Sequence, residues 1–86
     1  MTTISVSAKS LKRQREDLAG SEGTGSNPSK IFTLTTTSDI DIVEVYLDGL
    51  LLKETTQYTK SNSAKTITMV NTAVFNSQNL AVIYNV

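Results

Sequence analysis

The dipeptide Asp48-Gly49 limits most severely what this chain can fold into. It stands between two apolar runs, Ile42-Val-Glu-Val-Tyr-Leu47 and Leu50-Leu-Leu-Lys53. A two-residue Asp-Gly loop is the strongest short-range signal for a β-hairpin, because both residues tolerate the left-handed backbone that the twist of paired strands demands. In the first run Val43, Val45 and Leu47 alternate with Ile42, Glu44 and Tyr46. That is the period of a strand with one face on a core.

Further strand-like runs surround the hairpin: Ile31 to Thr36, Gln57 to Lys60, Lys65 to Val70 and Leu80 to Val86, with a turn at Ser61-Asn62-Ser63 and a polar connection from Asn71 to Asn79. Ten of the thirteen threonines follow Lys30, where Val, Ile and Tyr also concentrate, and these are residues that fit a pleated surface. Parallel β/α architecture needs crossover helices, for which this chain has no pattern. About six short strands at spacings of roughly eight to twelve residues predict an all-β fold, a small antiparallel β-sandwich or barrel. The expected core is Phe32, Leu34, Val43, Val45, Leu47, Leu51, Tyr58, Ile67, Met69, Phe75, Leu80, Val82 and Tyr84.

The first thirty residues read differently. They are polar and hold three of the four glycines and the only proline. Ile4, Val6 and Ala8 alternate with hydroxyl residues, the period of a strand able to join a sheet edge. Ala8, Leu11, Arg15 and Leu18 instead suit a thin helix ending at Gly20. Gly20 to Pro28 has the composition of a flexible linker. The expected organisation is an extended or partly helical N-terminal arm and linker over residues 1–30, and a β head over 31–86. Charge follows the same division: five basic against three acidic side chains in 1–30, three against five in 31–86, with zero net.

With no His and no Cys among its 86 residues, the chain lacks an imidazole base, a thiolate, disulfides and the usual ligands of zinc, haem and iron–sulfur groups. Asp39-Ile40-Asp41 with Glu44 resembles the start of an oxygen-ligand cation loop but lacks its glycine and closing glutamate. The serine–lysine pairs, such as Ser63-Ala64-Lys65, are one residue short of a catalytic dyad spacing. Gly20, Gly23 and Gly25 lack the Gly-Lys-Ser/Thr end of a phosphate loop. These patterns predict no catalytic residues, no metal and no cofactor, and hence a protein that is not an enzyme. A signal-peptide pattern is missing from Met1 to Ser10, and Leu50-Leu51-Leu52 is far too short to cross a bilayer; a soluble chain starting at Met1 is the simplest expectation.

Lys12-Arg13-Gln14-Arg15 is the one basic cluster, but Glu16 and Asp17 follow it at once. With no aromatic residues beside it, a solvated or partner-facing helix is favoured over nucleic acid. The candidate partner-binding residues are therefore Ile4, Val6, Leu11, Lys12, Arg13, Arg15 and Leu18. Tyr46, Tyr58 and Tyr84 form an alternative candidate, a stacking platform for a carbohydrate or other surface ligand.

Val43-Glu-Val-Tyr-Leu-Asp-Gly49, Gln57-Tyr58-Thr59 with Ser61, Thr66-Ile67-Thr68 and Leu80-Ala-Val-Ile-Tyr84 together resemble a small β module of tailed-phage virion proteins, found in tail fibre, neck, baseplate and appendage proteins. The likeness covers residues 31–86. Two places depart from it: Ser61-Asn62-Ser63 and Ser77-Gln78-Asn79 stand where the module carries glycine turns. The resemblance implies a non-catalytic structural subunit of a virion, such as a head or tail fibre, a capsid decoration or a neck adaptor. It would attach to other virion proteins through its N-terminal arm and assemble as a homo-oligomer; the zero net charge disfavours a nucleic-acid partner and the short apolar runs predict no membrane partner.

Overall fold

The structure, a computed structural model, describes residues 12–86. Among these residues seven strands follow in order: β1 (Arg13–Ala19), β2 (Ile31–Thr33), β3 (Asp41–Leu47), β4 (Leu50–Leu51), β5 (Tyr58–Ser61), β6 (Thr66–Met69) and β7 (Asn79–Asn85), with one 3-10 turn at Gly20–Glu22. They form two antiparallel sheets, one ordered β1-β7-β3-β4 and the other β2-β6-β5. Phe32, Tyr58, Ile67 and Met69 from the smaller sheet and Leu18, Ile42, Val45, Leu80, Val82 and Tyr84 from the larger one make a single buried cluster. The fold is all-β, as the alternation predicts, and each of the six expected runs contains a strand.

The hairpin forms as its sequence demands. Asp48 and Gly49 have φ of 50° and 86°, the pair of positive values that a type I′ turn requires. Leu47 pairs with Leu50 and Tyr46 with Leu51, and the Leu52 amide donates to the Val45 carbonyl at 2.9 Å. Val45 faces the core, so Leu52 does too, and Leu51 points away. Leu52 is 4% exposed and Leu51 55%, which corrects the expectation that Leu51 is a core residue.

A second correction comes from a bulge in β3. Ile42 pairs with Tyr84 and Glu44 with Ile83, leaving Val43 without a partner. One extra residue reverses the inside-outside parity upstream of it. Ile42 is thus fully buried beside Val45, and Val43 is exposed. Side chains of the other sheet serve the backbone here: Lys60 Nζ donates to the Ile42 carbonyl at 2.6 Å, and the Ile42 amide donates to Asn62 Oδ1 at 2.9 Å. Phe75, also expected inside, is exposed while Val74 is fully buried. The Val74 amide donates to Asn27 Oδ1, and the turn closed by the Gln78 amide on the Phe75 carbonyl lifts the phenyl ring outward.

The largest departure concerns the N-terminal third. The helical reading of Arg15 and Leu18 is replaced by strand β1, which pairs with β7 over seven positions from Arg13 with Asn85 to Ala19 with Asn79. A thin apolar stripe offers a helix little, whereas the open edge of β7 offers a full ladder of hydrogen bonds. Tertiary pairing therefore overrides local preference. Leu18 packs beneath β7 opposite Leu80, 3% exposed; it belongs to the chain's own core and not to a partner surface. The Gly20–Pro28 block, linker-like in composition, is tied at many points. The Gly20 amide donates to the Gln78 carbonyl, Thr24 and Ile31 exchange two backbone hydrogen bonds, and the buried Lys30 donates from Nζ to the Gly20 carbonyl at 3.0 Å. Ile4, Val6 and Leu11 lie outside the described residues.

Candidate functional site

The larger sheet turns one face to the core and the other outward. Register places the outward residues in rows. Arg15 of β1, Ile83 of β7 and Glu44 of β3 form one; Asp17, Ala81, Tyr46 and Leu51 form the next. Arg13 and Asn79 lie beyond these rows at the two ends of β1 and β7. Because β7 is central and carries the small residue Ala81, the taller side chains of β1 and β3 rise on either side of it. The result is an open basin of about 430 Å³ lined by Arg13, Arg15, Glu44, Tyr46, Gly49, Asn79, Ala81 and Ile83.

Its polar groups are tied to one another. Glu44 Oε1 accepts from Arg13 Nη2 at 2.7 Å, across β7, and from the Tyr46 hydroxyl at 3.3 Å. On the opposite wall Asp17 Oδ1 accepts from Arg15 Nε at 3.0 Å and from Asn79 Nδ2 at 3.2 Å. The Asn79 amide, followed by Arg15, holds the Asp17 carboxyl below the ordinary carboxylate range. Exposed pairs of this kind add about 0–1 kcal/mol each to stability. Their main effect is to link six polar side chains around a floor of Ala81 and Ile83.

Of the seven residues expected to meet a partner, Arg13 and Arg15 fall on this basin, their side chains largely exposed. Lys12 sits just before β1, its carbonyl accepting from the Val86 amide at 3.0 Å. The three tyrosines do not form a platform. Tyr58 and Tyr84 are 3% and 7% exposed in the core, so only Tyr46 reaches the outer face, and the three-tyrosine candidate is corrected. Burial, with Glu54 and Glu44 behind it, raises the Tyr58 phenol above its usual pKa. The acids near Asp39 also diverge: Asp41 accepts from Asn62 and Glu44 points into the basin. Among the described residues no three acids gather where they could hold a metal ion.

Glu44, Asn79, Ala81 and Ile83 escape a reading of single motifs, since each is ordinary alone. Only the pairing of β1, β7 and β3 brings them together, and β1 is the strand that local pattern conceals. A second surface feature lies beside the basin, where Leu50 and Leu51 on edge strand β4 are 67% and 55% exposed.

Among known proteins, the chain matches no family model, no curated protein and no solved structure.

Proposed function

We propose that this chain is a non-enzymatic structural component of a tailed-phage virion, a head or tail fibre, capsid decoration or neck adaptor. In this reading its β-sandwich head assembles as a homo-oligomer in the particle, and attachment to other virion proteins runs through the N-terminal arm. The resemblance supports it, since the quoted segments fall on β3 with its turn, β5, β6 and β7. The attachment role keeps Ile4, Val6, Leu11, Lys12, Arg13 and Arg15 and loses Leu18, which is committed to the head's own core.

One observation carries the assembly part: two adjacent leucines stand exposed on the short edge strand β4, directly after the hairpin turn. Successive side chains of a strand point to opposite faces, so Leu50 and Leu51 present apolar surface on both sides of this edge, and an open strand edge invites further pairing. Light scattering of the purified chain should report a defined oligomer that Leu50→Ser/Leu51→Ser converts to a smaller species. A monomer at all accessible concentrations would remove the oligomer from the proposal. Electron microscopy of the assembly that contains the chain tests its place in a particle.

A further inference from the structure

We infer that the basin on the outer face of the larger sheet is a binding site for a neutral saccharide ring. This inference does not rest on the assembly reading, whose evidence lies on β4. The volume, about 430 Å³, falls within the roughly 300–1,000 Å³ of small-molecule sites. Three further properties select the ligand class.

Charge comes first. Arg13 and Arg15 are each paired with a carboxylate, Glu44 in the lining and Asp17 just beside it, so the two cations are matched by two acids. A phosphate or carboxylate ligand would have to share the guanidinium groups with acids already bound to them. A neutral ligand fits the balanced field as it stands.

The backbone comes second. β7 is hydrogen-bonded on one side by β1 and on the other by β3, leaving its main chain no group to offer. An extended peptide recognised by strand addition therefore has no purchase on the floor. Recognition must run through side chains.

The mixture of those side chains comes third. Carboxylate, guanidinium, amide and phenol groups, already oriented by their mutual hydrogen bonds, supply both acceptors and forked donors. Beneath them lie Ile83, half-buried, and the nearly covered Ala81, 3% exposed, with the Tyr46 ring at the side. A pyranose has the matching character, with hydroxyls around its rim that both donate and accept and an apolar face of C–H groups that packs on an aromatic or aliphatic surface. Gly49 leaves the end of the basin open, since nothing lies within 4 Å of where its Cβ would be, and a second sugar unit can extend there.

The test is a titration of the isotope-labelled full chain, followed by NMR, with methyl glucoside, methyl galactoside, methyl mannoside and N-acetylglucosamine, together with a glycan array. The expected result is saturable shifts at Tyr46, Ala81 and Ile83 with at least one neutral sugar. These shifts are lost in Tyr46→Ala and weakened in Arg15→Gln, and they are unchanged in Leu50→Ser. Arg15 is largely exposed, so that variant keeps the test valid should Tyr46→Ala perturb the fold. No saturable shift with any of the four sugars overturns the inference. So does binding confined to sialylated or sulfated glycans, or binding that survives both Tyr46→Ala and Arg15→Gln in folded protein.

Discussion

Gly20 and Gly23 carry a steric constraint that their place in a glycine-rich stretch conceals. A Cβ on Gly20 would lie 1.8 Å from the Phe75 carbonyl oxygen, and one on Gly23 would lie 2.7 Å from Cζ of the Phe32 ring. Phe32 is fully buried, and the Phe75 carbonyl already accepts from the Gln78 amide, so neither neighbour can retreat cheaply. Gly20→Ala and Gly23→Ala are each expected to cost about 1–3 kcal/mol through overpacking, seen as a lower urea midpoint. The midpoint for Gly25→Ala should fall for a different reason, its left-handed backbone, since only Ser29 approaches at 3.9 Å. At Tyr58 burial is the largest cause of a raised phenol pKa, so the folded state prefers the neutral ring. Its contribution is complete below the unfolded-chain pKa, about 10, and is lost as pH rises through the higher folded value. Alkaline titration monitored by circular dichroism should show unfolding above about pH 10, shifted upward in Tyr58→Phe; an identical profile in that variant would remove Tyr58 as the cause.

Strands respond to register, and here the hairpin and β1 make opposite cases. The Asp48-Gly49 turn was readable at once, and the burial of Leu52 over Leu51 follows from counting pairs across a two-residue loop. The bulge at Val43 was not readable, because alternation alone cannot tell an inserted residue from an ordinary one. Strand β1 was hidden for another reason. Arg13 to Asp17 is almost wholly charged or polar, so its strand identity comes from the β7 edge it covers and not from its own composition. The basin inherited that invisibility, since one of its walls is β1. Charged residues on an edge strand also discourage pairing with other chains, consistent with β1 closing one side of the sheet. Removing residues 1–19 is therefore expected to uncover β7, open a void at Leu18 and leave an aggregating or unfolded product. Removing residues 1–11 should leave the cooperative thermal transition in place, because every strand pairing described lies within 13–85. If the shorter truncation also abolished folding, the attachment role proposed for Ile4, Val6 and Leu11 would have to yield to a structural one.

Among the described residues the first strand pairs with the last, and the Val86 amide donates to the Lys12 carbonyl at 3.0 Å. The described chain therefore closes on itself at one end of the larger sheet, while the β3–β4 turn sits at the other, where Asp48 accepts from the Asn79 amide through Oδ1 at 2.8 Å. Such a closure is slow to form, because its loop entropy must be met before β1 contributes anything, and folding rates fall as contacts become more distant in sequence. A circular permutant makes this testable. Joining Val86 to Lys12 through a short Gly/Ser loop turns the β7–β1 pair into a local hairpin, and opening the chain at Ser63 cuts the turn between β5 and β6 while leaving Asn62 attached to β5, beside the Ile42 amide it accepts from. Refolding of that permutant is expected to be faster than that of the 12–86 chain, with the same spectrum and a similar midpoint. A permutant opened between Asp48 and Gly49 should be less stable than the first, since it cuts the turn whose aspartate holds Asn79 and with it the near end of the basin. Equal refolding rates in the parent and the Ser63 permutant would show that closure of β1 on β7 is not the slow step, and would move the search for it to the crossing between the two sheets.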